Sequence, residues 1–180
     1  MAADQTKEAQ YRQHKGIMSM VVANIAIIFS LYHVLYVTGL IARAGIFLNI
    51  PWLYRIDIPQ HLAIHLGVIL ILVYLLVPIG KKASRQKLPW YDVVLGLVGI
   101  GWNLYLIINY HAIYARTLTG YLLTYENIGS WLNMVVVLEA TRRLMGRAIP
   151  AVAAFFLLYT LTANYFPGFL HASGHPWPKV

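Results

Sequence analysis

Residues 58–80 read IPQHLAIHLGVILILVYLLVPIG, with no Asp, Glu, Lys or Arg anywhere in the stretch. A hydrocarbon core takes about 20 mostly apolar residues per spanning helix, and this stretch supplies them. Working outward, equally uncharged stretches cover 16–42, 93–115 and 148–178, and a shorter clean block covers 127–138. Nearly all the Lys and Arg residues fall in the gaps. Backbone polar groups in lipid have to be satisfied within the spanning element, which leaves helices or closed-barrel strands. Continuous apolar runs, without barrel alternation, decide for helices. The expectation is an all-α integral membrane protein.

Composition agrees. Of 180 residues, 59% are hydrophobic and 11% charged, against roughly 25% charged in an average soluble domain. The absence of cysteine excludes disulfides, thiol catalysis and cysteine metal sites. A net charge of +8 would suggest nucleic acid as the partner of a soluble protein. Between apolar spans it reads instead as topology signals and contact with anionic headgroups of membrane lipid, so no nucleic-acid partner is expected. Residues 1–15 and the apolar run after them have the outline of a signal peptide, and Ala42-Arg43-Ala44 resembles a cleavage site. The run far exceeds the roughly 7–15 residues of a signal core, so it is read as an uncleaved first span.

The spans are expected at about 17–40, 61–79, 91–113, 127–142 and 148–166, in a bundle over 17–170. A polar segment, 1–16, precedes them, and a His-, Pro- and Trp-rich tail, 171–180, follows. The connection 41–59 reads as a structured loop with interfacial aromatic residues. Gly96 and Gly99 are places where a neighbouring helix can approach closely, though they are explained nearly as well without that role. The fourth segment is ambiguous, because its clean core is short enough for an interfacial helix. Met134–Leu138 is nevertheless apolar on every face, which does not suit a helix lying flat on the surface.

Charge decides between the two. With five spans and a cytoplasmic N-terminus, Lys7, Arg12, Lys15, Lys81, Lys82, Arg85, Lys87, Arg142, Arg143 and Arg147 lie inside. Arg43, Arg55, Arg116 and Lys179 lie outside, a split of ten to four that obeys the positive-inside rule. Without the fourth crossing the split is seven to seven. Five spans are therefore expected, the fourth a short one of about 16 residues and about 24 Å.

Few residues suggest chemistry. Glu139 has Arg142 and Arg143 at i+3 and i+4, the spacing of a structural ion pair at a helix end, with a coupling or docking role as the alternative. His33, His61, His65 and His111 lie on or beside the spans, toward the outer half of the membrane. His61 and His65 share a helix face. Paired imidazoles can ligate haem iron or a metal, which makes a haem-bearing anchor of a redox complex the alternative reading. Histidines in the polar interface are the plainer one. Asn24, Ser30, Thr38, Asn103, Asn109, Thr160, Thr162 and Asn164 are scattered, as interhelical hydrogen-bonding residues are. Nothing resembles a phosphate-binding loop, a nucleophile with its base, or a carboxylate pair, so no enzymatic role and no cofactor or metal is expected. Arg55, Asp57, Arg116 and Glu126 lie among Trp52, Tyr54, Tyr121, Tyr125 and Trp131 on the outer side. Mixed charge with aromatic anchors suits the docking of a soluble partner, and a plain aromatic belt explains the aromatic residues equally well.

The run Leu138-Glu139-Ala140-Thr141-Arg142-Arg143, followed by Gly146, resembles a segment in the N-terminal part of fused permeases of the tripartite ATP-independent periplasmic (TRAP) transporters. The similarity is to the branch served by TAXI-type solute-binding proteins. His61 with the span ending at Pro78 resembles that family's second span, and Pro89-Trp90-Tyr91-Asp92 its entry to the third. Tyr114-Ala115-Arg116 with Glu126 resembles its outer loop, and Tyr159 with Phe169-Leu170-His171 its closing span and tail. The resemblance covers about 55–174. It implies a small Q-like membrane component that partners a large M permease carrying the pathway and the sodium sites. A periplasmic binding protein would deliver solute, and an ion gradient would drive uptake by symport. It further implies a bacterial or archaeal cytoplasmic (inner) membrane. In the family this region is fused to the large permease, whereas this chain ends at Val180. The resemblance therefore implies a separate small subunit or a detached module, which transports nothing alone.

Overall fold

A computed structural model describes residues 11–12, 16–80, 88–168 and 171. Most of the expected N-terminal segment, the basic loop 81–87 and all of the tail but His171 lie outside the described residues. Those described form helices with no strand among them. The helices are α1 (Ile17–Val37), α2 (Leu40–Phe47), α3 (Pro51–Tyr54), α4 (Ile58–Leu76), α5 (Trp90–Leu118), α6 (Thr124–Met145) and α7 (Ala148–Thr162), closed by a 3-10 turn at Ala163–Tyr165. Four stretches are long and apolar enough to cross a membrane: α1, α4, α5 and α7 with its closing turn. That is the architecture of a multi-pass membrane protein. The chain divides into two compact units, Met1–Tyr110 and His111–Val180, with the boundary inside α5.

Local chemistry sets the helix ends in the first unit. α1 stops at Val37 rather than near Leu40, because Gly39 takes a left-handed conformation (φ 71°) that residues with a side chain rarely adopt. The connection after it is structured by α2 and α3, which fold against each other there. Their contact closes on Gly45, where an added Cβ would lie 2.7 Å from Leu53 Cβ and 3.0 Å from the Tyr54 amide nitrogen. α4 begins at Ile58, earlier than expected. The Gln60 side-chain oxygen accepts from the Asp57 backbone N–H at 3.1 Å, and Pro59 occupies the first turn. It ends at Leu76 because Val77 precedes Pro78 and is extended (φ −105°, ψ 113°).

α4 meets the part of α5 in this unit at Gln60 and at Gly67, among other places. Gln60 Nε2 donates to the Ile107 carbonyl at 2.9 Å, and Gly67 lets Asn103 approach, with a would-be Cβ 3.3 Å from Asn103 Cβ. The glycine at the close approach is thus on α4. At Gly96 a Cβ would meet Tyr74 only at 3.8 Å, an ordinary contact. Gly99 is buried, and its carbonyl accepts from buried Asn103 at 2.8 Å.

Arg12 fastens one end of this unit. Its backbone N–H donates to the Leu76 carbonyl at 2.7 Å, and its guanidinium donates to the Tyr74 carbonyl at 2.7 Å and pairs with Asp92. Both charged side chains are fully buried. The last carbonyls of a helix attract a cation and its first turn attracts an anion, so Arg12 at the end of α4 and Asp92 at the start of α5 both sit where the helix dipoles favour them.

In the second unit, α5 ends on a turn in which the Tyr121 N–H donates to the Arg116 carbonyl at 3.0 Å. α6 then runs 22 residues, beyond the 127–142 expected from the charge pattern. It ends at Gly146, and α7 follows from Ala148. The α6 and α7 helices pack on each other.

Candidate functional site

Three of the four span histidines come together. The end of α1 meets the start of α4 in antiparallel sense, and the contact consists of rings. His33 Nε2 and His65 Nδ1 are hydrogen-bonded at 2.9 Å, and the Tyr32 hydroxyl is bonded to His61 Nδ1 at 2.9 Å. Tyr36 stacks flat on His61, with ring centroids 3.6 Å apart and planes 4° apart. The His33 ring lies 4.7 Å from His61 and 4.6 Å from His65. Phe29, one turn before His33, covers both members of the bonded pair, at 4.8 Å from His33 and 5.4 Å from His65. His33 Nδ1 is buried and makes no hydrogen bond. His111 belongs to the second unit and is exposed on α5.

Iron ligated by two imidazoles must stand between their nitrogens, and His33 Nε2 and His65 Nδ1 already bond each other directly. The nitrogen left on His33 is buried. Among the described residues no group of three His, Cys, Asp or Glu is arranged to hold a metal ion. The three histidines are sequence candidates, and the i, i+4 spacing of His61 and His65 is the part of the cluster that a local pattern shows. Tyr32, Tyr36 and Phe29 were missed, because an aromatic residue on an apolar helix looks like any other lipid-facing residue.

The four residues expected on an outer docking face part company. Arg55 is exposed and lies over the Tyr54 ring, 5.8 Å from its centroid, and Asp57 is exposed at the cap of α4. Arg116 and Glu126 instead pair with each other. The Arg116 guanidinium holds both carboxylate oxygens, one of them through Nε at 3.3 Å, and the Leu123 N–H donates to Glu126 Oε2 at 3.1 Å. Glu126 is 1% exposed. Its carboxylate closes the turn between α5 and α6 and is withdrawn from the surface, a correction to its expected place there. Among the neighbouring aromatic residues, Trp52, Tyr121 and Tyr125 are exposed.

Glu139 binds both following arginines. Arg142 approaches at 2.6 Å and 2.8 Å through Nε and a terminal nitrogen, and Arg143 through Nε at 2.8 Å. The Arg143 side chain is fully buried, while those of Glu139 and Arg142 remain partly exposed. One carboxylate thus gathers two guanidinium groups on the last turns of α6, where cations also suit the helix C-terminus. The Arg12–Asp92 pair had no sequence signal, since its partners are 80 positions apart.

Compared with protein-family models, curated proteins and solved structures, the chain matches none of them.

Proposed function

We propose that the chain is the small membrane subunit of a TRAP-type secondary transporter. It supports a large permease subunit and helps dock a periplasmic solute-binding protein for ion-gradient-driven uptake. The observation that carries this reading is that the first and last spans are thinly covered: no residue of α1 or of α7 is fully buried by the rest of the chain. A subunit whose first and last helices leave much apolar surface exposed, Ile27, Ile28, Leu31, Phe155 and Phe156 among it, has room for a larger membrane partner. The resemblance of Leu138–Arg143 to the TRAP segment supplies the identity of that partner.

Charge placement supports a scaffold rather than a pathway. Arg12 and Asp92, Arg116 and Glu126, and Glu139 with Arg142 and Arg143 are engaged in ion pairs within the chain. Such pairs satisfy charge near or within a membrane from inside the chain. Exposed Arg55 and Asp57, beside Trp52, are the remaining docking candidates.

The proposed topology has five crossings and a cytoplasmic N-terminus, and α6 supplies the fifth. At 22 residues it is about 33 Å long, the depth of a hydrocarbon core of about 30 Å, with its uncharged stretch 127–138 at the centre. Its acid-and-arginine cluster then lies at the inner end, with Glu126 at the outer. The rival reading, a haem-bearing anchor, requires ligand nitrogens other than His33 Nε2 and His65 Nδ1 as they are bonded here.

Affinity purification of the tagged chain in mild detergent, from membranes of cells that carry its neighbouring genes, tests the proposal. A large multi-span permease should come with it. Recovery with no such protein would sink the reading, and a Soret band lost in His65→Ala would replace it with the rival.

A further inference from the structure

We propose that the α2–α3 hairpin is a lipid-seated anchor, its apolar tip lying at the border of headgroups and acyl chains in the leaflet at that end of α1 and α4. The inference stands on the geometry of the first unit and does not depend on the transporter reading.

The tip is apolar where a loop in water would be polar. Ile46, Phe47 and Leu48 at the end of α2, and Trp52 in α3, are all exposed, Phe47 to 89%. These are not the residues that close the hairpin, since that contact is made by Gly45 with Leu53 and the Tyr54 backbone. The hairpin thus packs on its smallest residue and turns its largest apolar side chains outward.

The backbone of the turn is prepared for a dry environment. Amide hydrogens between helices ordinarily find water. Here the Leu48, Asn49 and Ile50 N–H groups donate to the Ala44, Ile46 and Gly45 carbonyls at 2.9 Å, 3.2 Å and 2.8 Å. Pro51 has no N–H, and that of Leu53 donates to the Ile50 carbonyl at 3.1 Å. Asn49 allows so tight a turn by taking the left-handed conformation (φ 54°), which asparagine enters more readily than most residues. Lipid accepts backbone whose polar groups are met from within in this way.

The surfaces that the hairpin joins say what covers its tip. α1 turns Val34 and Val37 outward, and the exposed apolar surface passes through Leu40 into α2 with no charged residue between. Ile58 opens α4 in the same way. Both ends of the hairpin are therefore tied to spans, and its tip continues their lipid-facing surface. Charge agrees with a phospholipid surface, because residues 40–55 carry two arginines and no acid. Arg43 is exposed and lies four positions before Phe47, on the same helix face. Its long stem lets the guanidinium reach headgroup phosphate while Phe47 enters the chains. Trp52 and Tyr54 are of the residue types that settle at this depth. Helices of this kind sit roughly 5–10 Å into the boundary.

The anchor has a mechanical consequence. α1 has no fully buried residue to fix its height beside α4. A seated hairpin directly after Gly39 sets the depth of its C-terminal end.

The chain has no cysteine, so a nitroxide label can be placed at one site at a time. The test uses the full chain in nanodiscs of phosphatidylcholine and phosphatidylglycerol, with the label on Ile46→Cys, Phe47→Cys or Leu48→Cys. Collisions with oxygen, which concentrates among acyl chains, are compared with collisions with a water-soluble nickel chelate. Asp57→Cys supplies the reference for the aqueous side. The proposal predicts an oxygen-to-nickel ratio several-fold above that reference at all three tip positions. Adding Gly45→Leu, which keeps α2 and α3 from closing, should lower the ratio toward the reference. A ratio at Phe47 no higher than at Asp57 would place the tip in water and overturn the proposal. Shielding from both reagents would mean that protein covers the tip, a second copy in this preparation, and would overturn it equally. The three surface labels decide by themselves, so a Gly45→Leu chain that fails to fold does not shelter the proposal. No permease is present in these nanodiscs, so failure of the transporter reading leaves the ratios unchanged.

Discussion

Arg12 and Asp92 carry charges with no exposed side-chain surface, held to each other and, for Arg12, to the closing carbonyls of α4. Removing one member of a buried pair strands the other, at a cost of about 3–5 kcal/mol. We therefore expect Arg12→Met and Asp92→Leu each to lower unfolding resistance in detergent by that order. The double variant should lose much less than their sum, because no lone charge remains. Additive losses in a thermal or denaturant series would show that the two do not act as a pair. The residue scale is also where sequence reading was least complete. His61 with His65, and Glu139 with its arginines, were visible because helix periodicity brings residues three or four apart together. Arg12 with Asp92, Tyr32 with His61, and Gln60 with Ile107 join different helices, and no local pattern announces such contacts.

Elements were more legible than residues, with errors of a few positions that have identifiable causes. Uncharged stretches located the spans, but charge does not end a helix. α5 continues past Ala115 to Leu118 with Arg116 in its last turn, and α6 takes in Glu126 and Glu139. Caps and prolines do end helices, as Gly39, Asp57 and Pro78 do here. The longer α6 bears on topology, because its 22 residues give it the length of a crossing that about 16 would lack, although it is not among the helices that are also apolar enough for one. Compartment-sensitive reporters fused after Arg147 and after Val180 check this. Five crossings put the first inside and the second outside. An outside signal at Arg147 would make α6 an outer interfacial helix and would remove the ten-to-four charge bias that argued for its crossing.

For the molecule as a whole, the apolar helical class followed from composition, whereas the role rests on surfaces that no composition describes. The central claim is that the exposed apolar face of α1 is covered by a large permease and not by lipid alone. Ile27, Ile28 and Leu31 are 64%, 66% and 57% exposed, and they belong to that face. Exposed apolar surface of this extent on a membrane helix contacts either acyl chains or another protein. A photoreactive residue placed at each of the three positions, in cells that also make the neighbouring gene products, distinguishes these directly. The account predicts a covalent adduct between this chain and a multi-span permease from at least one position, recovered under denaturing conditions. Adducts with lipid alone from all three positions would contradict it.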